Sequence, residues 1–478
     1  MKNTLPASAR CAVKRIDELG AQKYASFEEY QSGLSKVTDE FKREVVHSQS
    51  EYDSTLPCFY ISNSGDDDAD GKTPETAWRT FRNINDPDKT FEGCNILFER
   101  GGIFRGKLTV PHSYMTFSAY GVGQKPRLYG SKVNYAHPKY WKESEYKNVW
   151  YTDFCTENVG MIAVDHSDVM GKYDEIMCRR HVVGLDGFEG PWQLEREFDF
   201  YANIDEPITY LYCEKGNPGE VYDSIELGEG YTLIEPGAGA VTDIVFDNLC
   251  IKFTGCHAIA GLHCRENVTV RNCVFCYLGG SILDGHAGTR IFGYGNAIET
   301  CQCRGYYIYG NWIYQIYDTA ITHQCGAGEH PCHMADVRYV GNLCEYCHWS
   351  IEFYNIPKEG IDRQVYDNSI HHNILRMGGY GWGSRGRTEG AALFNSFGLT
   401  PKTYNFTAHS NIFDRSAGGL VRLNRGGDEK IGMFGNVYIQ KKGGNLGWIF
   451  DGDKPFENAG KTIEELLSEE RPTVFYGE

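Results

Sequence analysis

The stretch "QIYDTAITHQ", residues 315–324, places a carboxylate, Asp318, and an imidazole, His323, within six residues. Two similar stretches flank it along the chain, "NAIET" with Glu299 and "WSIEF" with Glu352. Cleavage of a glycosidic bond needs a protonated carboxylic acid for the departing oxygen and an ionised carboxylate as nucleophile or base. The residue types in these three stretches therefore suggest glycosidase chemistry.

The spacing of these residues suggests that they share one face of a sheet. Each stretch has a small residue followed by isoleucine, and these isoleucines are predicted to line an interior: Ile298, Ile321 and Ile351. Because strand side chains alternate, the next residue on each strand points outward, giving a column of Glu299, Thr322 and Glu352 on strands ~4.8 Å apart. Crowded carboxylates raise the pKa of one of them, which supplies an acid near neutral pH.

We predict that Asp318 is the nucleophile or base and that Glu352 is the acid. Glu299 is predicted to be a third carboxylate, and His323 is predicted to lie beside the three acids. The alternative is that outward acids only keep the face of the sheet solvated, and the sequence leaves both possibilities open.

Further candidates for substrate binding lie in or beside the same segments. Aromatic faces can stack on the C–H surfaces of sugars, and the glycine-rich loop "GGYGWGSRGRTEGAA" carries charged groups that could bind a carboxylate or hydroxyls or could simply be solvated. The candidates are Thr322, His348, Trp349, Tyr354, Trp382, Arg385, Arg387, Glu389 and Arg422.

A repeat in the second half of the chain indicates the elements that position these residues. An asparagine follows a short alternating strand and precedes an apolar pair seven times: Asn248, Asn272, Asn311, Asn342, Asn373, Asn411 and Asn436. Coils of about two dozen residues with insertions at one corner are typical of a solenoid. Asparagine at such a turn can hydrogen-bond the next coil and tolerates left-handed backbone, so we predict a structural asparagine column.

The opening "YISNSGDDDADGKTPETAWRTFRNIN", with "ILFERGGIFRGKLTV" after it, resembles the N-terminal cap and first coils of right-handed parallel β-helix proteins. Many of those proteins are glycoside hydrolases or polysaccharide lyases. The segments "YGNAIET", "YDTAITHQ" and "HWSIEFYN" look like the central coils of the glycosidase members, which include β-xylosidase-like and α-fucosidase-like enzymes. The resemblance implies an all-β, right-handed parallel β-helix, and it carries over no catalytic residue because unrelated activities share the fold.

Changes in composition divide the chain into five segments. A charged, aromatic-rich stretch interrupts the coils and is predicted to be an inserted β-rich subdomain. The helical segments at the two ends are predicted to cap the solenoid, because open β edges must be covered. The segments are 1–56 (helical), 57–148 (N-terminal cap and first coils), 149–237 (insertion), 238–455 (main β-helix with the groove) and 456–478 (C-terminal helix or cap).

Charge and cysteine usage narrow the partners and the compartment. The formal net charge of −17 opposes nucleic acid binding, and it also disfavours a polyuronic acid unless a local basic pocket binds it. No apolar stretch is long enough for a membrane span, and the start has no apolar signal-peptide core. An odd count of 17 cysteines suggests reduced thiols, so we expect a cytoplasmic protein.

Metal sites are weaker possibilities. The stretch "THQCGAGEHPCHMAD" is rich in histidine and cysteine, but its spacing matches no zinc pattern, and the Asp/Gly loop at 64–71 could bind calcium or merely form turns. We therefore expect no cofactor, with zinc and calcium as alternatives.

Three functions remain open from the sequence. The first is a glycoside hydrolase acting on oligosaccharides, neutral and plant-derived in view of the acidic surface. The second is a polysaccharide lyase or uronate epimerase, for which Arg385, Arg387, Arg422 and His323 supply candidate groups. The third is a non-catalytic carbohydrate-binding solenoid. The sugar, the linkage and the oligomeric state do not follow from the sequence.

Overall fold

In the computed structural model the chain forms a long stack of short strands. The structure describes residues 5–21, 24, 26–166, 176–237, 241–261, 266–325, 331–386, 390–399, 402–424, 431–450, 454–455, 469 and 472–477. The helices are α1 (Ala7–Ala21), α2 (Phe27–His47) and α3 (Pro218–Val221), with 3-10 helices at Pro74–Thr76, Pro138–Tyr140, Pro191–Gln193, His286–Gly288 and Trp382–Gly386. None of the described helices is long and apolar enough to cross a membrane.

The strands before residue 240 form the first coils and an insertion. They are β1 (Cys58–Ile61), β2 (Asn95–Glu99), β3 (Ile103–Arg105), β4 (Leu108–Val110), β5 (Thr116–Tyr120), β6 (Arg127–Tyr129), β7 (Lys142–Glu143), β8 (Val149–Thr152), β9 (Val159–Val164), β10 (Ile176–Met177), β11 (Arg179–His181), β12 (Asp199–Ala202), β13 (Thr209–Tyr212), β14 (Ile225–Glu229) and β15 (Ile234–Pro236).

The strands after residue 240 complete the stack. They are β16 (Thr242–Asp247), β17 (Cys250–Lys252), β18 (Glu266–Arg271), β19 (Val274–Leu278), β20 (Ser281–Ile282), β21 (Gly293–Tyr294), β22 (Ile298–Cys301), β23 (Arg304–Tyr309), β24 (Trp312–Ile316), β25 (Thr319–Gln324), β26 (Cys332–Val340), β27 (Leu343–Glu345), β28 (Trp349–Tyr354), β29 (Arg363–His371), β30 (Ile374–Gly378), β31 (Ala392–Gly398), β32 (Lys402–His409), β33 (Ile412–Ser416), β34 (Gly419–Asn424), β35 (Ile431–Phe434), β36 (Val437–Lys441), β37 (Gly447–Phe450), β38 (Lys454–Pro455) and β39 (Thr473–Gly477).

Successive coils stack these strands into three parallel sheets. Sheet A has the order β1-β2-β5-β16-β18-β23-β26-β29-β32-β35, and sheet B has the order β3-β6-β17-β19-β24-β27-β30-β33-β36-β39. Sheet C contains β22-β25-β28-β31-β34-β37-β38, and single bridges at Ile259 join it to the pair β15-β4. The predicted right-handed parallel β-helix is confirmed.

Stacked apolar columns form the core between the three sheets. On sheet C, one column pairs the predicted isoleucines in register and continues into the later coils: Ile298, Ile321, Ile351, Phe394 and Val421. All five side chains are fully buried. Because strand side chains alternate, the side chain of the residue after each of them points to the outer face of the sheet.

The predicted asparagine column exists, but it is shorter than the sequence suggested. The backbone N–H and side-chain amide of one asparagine each donate to Oδ1 of the next, at 3.0 to 3.1 Å for the amide contacts. The members are Asn311, Asn342, Asn373, Asn411 and Asn436, and the column ends where the backbone N–H of Asn436 donates to Oε1 of Glu469.

Asn248 and Asn272 lie one position earlier in the turn than the members of this column. Both have a left-handed backbone, with φ of 65° and 54°, and the later coils place Gly310 and Gly341 there instead. Asparagine and glycine both adopt this conformation readily, so the sequence pattern conceals a shift of one residue. The prediction that all seven asparagines share one column is wrong for these two.

Extra segments enter the stack at one corner, where the chain passes from sheet B to sheet C. The largest lies between β6 and β15 and forms two small sheets, β11-β12-β13-β8-β7 and β10-β9-β14, before β15 resumes the stack by pairing with β4. The hairpin β20-β21 and the 3-10 helix Trp382–Gly386 occupy the same corner in later coils. All three segments therefore border the outer face of sheet C.

The two N-terminal helices lie along the side of the stack. Their apolar side chains, such as Leu34 and Phe41, pack on the outer face of sheet B, where they meet Trp312, Leu343 and Ile374. Lys42 of α2 also pairs with Glu345 of β27 at 2.7 Å. The prediction that this segment caps an end of the solenoid is wrong, because an apolar outer face of sheet B needs cover along its whole length. The proposed C-terminal helix falls on residues outside the described ones.

Candidate active site

The predicted outward column lies on sheet C as expected from strand alternation. Glu299 pairs in register with Thr322, and Thr322 pairs with Glu352. The column then continues to Asn395 and Arg422 in the next two coils. Two acids, a hydroxyl, an amide and a guanidinium thus share one row on the outer face of the sheet.

Asp318 and Glu352 converge on the hydroxyl of Thr319. The Thr319 hydroxyl donates to Oε2 of Glu352 at 2.7 Å, and its oxygen lies 3.4 Å from Oδ1 of Asp318. Asp318 is 7% exposed and Glu352 is 8% exposed, which is too little for acids that only solvate a surface. Of the predicted acids, these two share one hydrogen-bonding partner.

Glu299 has a histidine neighbour that was not singled out from the sequence. Burial lowers the pKa of His257, but Cys256 and the carboxylates of Glu299 and Asp318 outweigh burial and raise it to about 9. The backbone N–H of Asn296 donates to Nδ1 of His257 at 3.1 Å, which fixes Nε2 as the nitrogen that carries the proton of the neutral ring. His257 thus offers a proton donor next to two of the three acids.

The sequence did contain a signal for His257. The segment "HAIAG" repeats the small-isoleucine pattern of the three predicted strands, and Ile259 bridges to Ile298 in the interior column. His257 therefore holds the same position in its coil as Thr319 does two coils later. The pattern was missed because alanine follows the isoleucine here, where the predicted strands carry an acid or threonine.

His323 lies on the other side of sheet C, inside the β-helix. Its ring is fully buried, stacks on Phe406 and contacts the side-chain amides of Asn355 and Asn368 at 3.0 and 3.1 Å. Burial lowers its pKa to about 3. The prediction that His323 lies beside the acids is corrected, because it directly follows the outward-facing Thr322 and alternation turns it inward.

The candidates around β28 border the paired acids. His348 precedes β28 as Asp318 precedes β25, and its Nδ1 lies 3.3 Å from the Ser384 hydroxyl. Trp349 is nearly buried, and its indole donates to the carbonyl of Gly390 at 3.0 Å.

An aromatic group that includes Phe397 extends this border. Phe397 lies 5.2 Å from the ring of Trp349 and 6.2 Å from that of Tyr354, and the Arg422 guanidinium is 5.8 Å from the ring of Phe397. Tyr354 is exposed enough to contact a ligand. Phe397 was not predicted, and its position three residues after the inward Phe394 is the only signal for it.

The glycine-rich loop is described only in part. Trp382 packs on Tyr317 with ring centroids 5.2 Å apart, and its indole donates to the Gln315 carbonyl at 2.8 Å. The backbone of Arg385 belongs to the 3-10 helix, whereas its side chain and the whole of Arg387 and Glu389 lie outside the described residues. Their predicted roles remain predictions.

Two polar side chains of the outward column have unused hydrogen-bonding groups. The Thr322 hydroxyl and both amide atoms of Asn395 are buried and have no partner within the described part of the chain. Buried polar groups are normally satisfied, and each one left over costs about 1–3 kcal/mol. A hydroxyl-rich ligand could supply the missing partners beside Glu352.

Among the described residues, no set of side chains supports the zinc or calcium alternatives. Within the described ranges, no group of three or more histidine, cysteine, aspartate or glutamate side chains could hold a metal ion. In the loop at 64–71, Asp67 accepts the backbone N–H groups of Arg79 and Thr80, and Asp70 accepts the Thr76 hydroxyl, so these carboxylates order the turn.

Comparisons with known proteins give structural likenesses only. No family model and no curated protein matches the chain. A structure of XylC with xylose is 12% identical, covers 88% of this chain and 82% of its own, and has a TM-score of 0.42. A glycoside hydrolase is 11% identical, with coverages of 88% and 96% and a TM-score of 0.38. The family 28 exopolygalacturonase of Yersinia enterocolitica is 11% identical, with coverages of 87% and 78% and a TM-score of 0.34. Such values assign no activity to this chain, so its function must be inferred from its own side chains.

Proposed function

We propose that the protein is a glycoside hydrolase that cleaves oligosaccharides on the outer face of sheet C. The observation that carries the proposal is the pair of nearly buried carboxylates, Asp318 and Glu352, joined through the hydroxyl of Thr319. Glycosidic bond cleavage requires two such groups, one on each side of the scissile bond.

In the proposed mechanism Asp318 attacks the anomeric carbon and Glu352 protonates the departing oxygen. Because one oxygen of each carboxylate contacts the Thr319 hydroxyl, these two oxygens lie at most about 6 Å apart, which is below the ~6.5–9.5 Å of inverting pairs and compatible with the ~5–5.5 Å of retaining pairs. The proposal is therefore a retaining mechanism. Glu352 would then act as base when water releases the sugar from Asp318.

The neighbouring groups fit supporting roles in that reaction. Thr322 and Asn395 offer unused hydrogen-bonding groups to sugar hydroxyls, and the Nε2 proton of His257 can bind an oxygen near Glu299. Tyr354 and Phe397 supply aromatic faces for stacking, and the buried ring of Trp349 packs against Phe397. A cytoplasmic location remains part of the proposal, and it would favour short oligosaccharides and cleavage from chain ends.

The lyase or epimerase alternative has less support on these strands. Those reactions need a basic side chain to take a proton next to the sugar carboxylate, and β22, β25, β28, β31 and β34 contain no lysine. On these five strands the histidine is His323, whose side chain lies in the core. The tyrosine is Tyr354 and the arginine is Arg422.

The test is turnover of a panel of aryl glycosides by wild type, Asp318→Asn and Glu352→Gln. Each substitution should lower kcat/KM at least about 10²–10⁴-fold, the usual contribution of such groups. Glu352→Gln should lose less activity on dinitrophenyl than on phenyl glycosides, because a good leaving group needs no acid, whereas Asp318→Asn should lose equally on both.

The matched control is Glu235→Gln, which removes a carboxylate paired with Lys107 on the same sheet face, several coils away. It should keep wild-type turnover. Activity that survives in both site variants would contradict the assignment, and a rise in ultraviolet absorbance on uronate oligosaccharides would move the chemistry to a lyase. Binding of sugars without turnover would leave a carbohydrate-binding solenoid.

A further inference from the structure

A cavity of about 500 Å³ lies between the inserted subdomain and the corner of the β-helix that leads into sheet C. This volume is within the ~300–1,000 Å³ typical of small-molecule pockets. One wall comes from the insertion and includes Arg180 and Phe188, and the opposite wall comes from the coils and includes Ile282, Tyr317 and Trp382.

Direct contacts hold the two walls against each other. The backbone of Gly160 approaches that of Ser281 so closely that a Cβ at Gly160 would lie 2.2 Å from the Ser281 nitrogen. The Ser281 hydroxyl donates to the backbone carbonyl of Asn158 at 2.8 Å, and the Ile282 N–H donates to Oδ1 of Asn158 at 3.0 Å. The cavity is thus a built feature of the junction.

The cavity adjoins the proposed catalytic pair. Tyr317 lines it and is the residue directly before Asp318. Trp382, also in the wall, belongs to the same 3-10 helix as Ser384, whose hydroxyl contacts His348. A sugar chain that reaches Asp318 at this end of the strand therefore meets the cavity next.

Arg180 is an uncompensated cation in this wall. Its guanidinium donates to the Gly280 carbonyl and, at 2.8 Å, to Oδ1 of Asn158, both of them neutral acceptors. No carboxylate among the described residues contacts it, and its Nε has no hydrogen-bond partner there. Burial lowers its pKa to about 10, with Tyr317 and Tyr201 as the nearest opposing groups. A partly buried charge of this kind is costly unless a counter-ion joins it.

The other charged groups of the cavity do not supply that counter-ion. Arg179 pairs with Asp199 at 3.0 Å, and His181 lies 3.3 Å from the same carboxylate. Asp186 also lines the cavity, but it lies in an exposed turn and does not contact Arg180. The interior of the cavity is therefore locally positive in a protein whose net charge is −17.

We propose that this cavity binds a sugar unit that carries an anionic group, a carboxylate or a phosphate, with Arg180 as the residue that selects the charge. The inference rests on the proposed glycosidase function for its place in the reaction, since the acidic sugar would occupy the subsite next to the cleaved bond. It replaces the neutral sugar expected from the overall charge, because the local field at a binding site outweighs distant, screened charges.

The test is calorimetric titration of the full-length Asp318→Asn protein with sugars that differ only at carbon 6. Glucuronate, glucose 6-phosphate and glucose form one set, and galacturonate, galactose 6-phosphate and galactose form the other. In at least one set an anionic member should bind about tenfold or more tightly than its neutral member, as expected for one charge-assisted hydrogen bond. The tighter of the two anions identifies which group the cavity takes.

Arg180→Gln should reduce that preference to near unity while leaving the Kd of the neutral sugar unchanged, and Arg180→Lys should keep part of the preference. The matched control is Arg290→Gln, because Arg290 also links the insertion to the corner, through Asp205 and Asp284 at 2.8 and 2.9 Å, without lining the cavity. It should preserve the preference.

Equal binding of charged and neutral sugars, no binding of any of the six, or an equal loss in Arg290→Gln would overturn the inference. The binding test does not depend on turnover. If no aryl glycoside is cleaved but the preference for anionic sugars is intact, only the proposed glycosidase function is contradicted. Turnover without the preference would contradict this inference alone.

Discussion

At the scale of single residues, one step along a strand separates a ligand-facing group from a core group. Thr322 faces outward in the acid column and the next residue, His323, is fully buried against Phe406. The amide oxygens of Asn355 and Asn368 already accept the backbone N–H groups of Cys325 and Val337, so each presents its NH₂ to the imidazole. Burial outweighs the hydrogen bonds that favour a charged ring, so the pKa of His323 is lowered.

This burial predicts that acid destabilises the protein partly through His323. Its pKa is about 3 when folded and about 6.5 in an unfolded chain, so unfolding takes up a proton between these values. The free energy of unfolding should therefore be highest above about pH 6.5 and fall as the pH decreases, by up to about 1.4 kcal/mol per unit for this group. Urea unfolding of wild type and His323→Gln at pH 7 and pH 5 measures the effect.

His323→Gln should lower the stability at pH 7 but show the smaller loss on going to pH 5. His371, whose pKa burial also lowers to about 3, stays intact in both proteins and so cancels in the comparison. Identical pH dependence in the two proteins would contradict the interpretation.

At the scale of elements, the turns between sheets A and B decide how coils register with each other. Oδ1 of Asn373 accepts the backbone N–H and the side-chain amide of Asn342, and its own amide donates to the Tyr339 carbonyl and to Oδ1 of Asn411. All of these groups are buried away from water. The column is therefore a hydrogen-bonding element in its own right.

Replacing one member should be costly. Asn373→Leu leaves the Asn342 N–H and the Tyr339 carbonyl without this partner, and at about 1–3 kcal/mol for each buried group we expect a loss of roughly 3 kcal/mol or more. Denaturant unfolding measures it. Ser410→Gly is the matched control, since Gly310, Gly341 and Gly435 hold that left-handed position in other coils, and it should cost clearly less. Equal losses would show that the shift of one residue between the two positions has no energetic meaning.

Strand alternation and repetition made part of this arrangement predictable. The small-isoleucine pattern correctly gave the interior column and the outward row of Glu299, Thr322 and Glu352, because each coil repeats the same local environment. The contact of Thr319 with both acids could not be predicted, because it depends on where the chain bends before β25. His257 was overlooked because Ala260 follows its isoleucine, where the other strands carry an acid or threonine.

At the scale of the whole molecule, the three faces of the β-helix have different partners. Sheet B lies under α1 and α2, whereas the outer face of sheet C borders the insertion, the hairpin β20-β21 and the loop after β30. Composition indicated that helices and an insertion exist, but it could not assign them to faces, since that depends on contacts between residues hundreds of positions apart, such as Lys42 with Glu345.

Removal of residues 1–47 should make the protein associate with itself. The deletion would expose an apolar strip on sheet B that includes Val274, Trp312, Leu343, Ile374 and Ile412, and a strip of this extent is an aggregation site. Size-exclusion chromatography and binding of a hydrophobic dye should both report the change.

Leu34→Asp in the full-length chain should give a weaker form of the same result, and Lys14→Ala, at the exposed side of α1, should give none. A monomeric truncated protein with the wild-type Tm would show that the helices are dispensable.

The asparagine column has a direction, and Glu469 marks its end. Each asparagine turns its oxygen toward the preceding coil and leaves its own N–H for the following one, so a coil is complete only after its successor has docked. At Asn436 that N–H meets a carboxylate, which can receive a hydrogen bond but has no proton on a nitrogen to pass on. A protein built from repeats has no intrinsic length, and here a carboxylate in place of the next asparagine ends the hydrogen-bonded column.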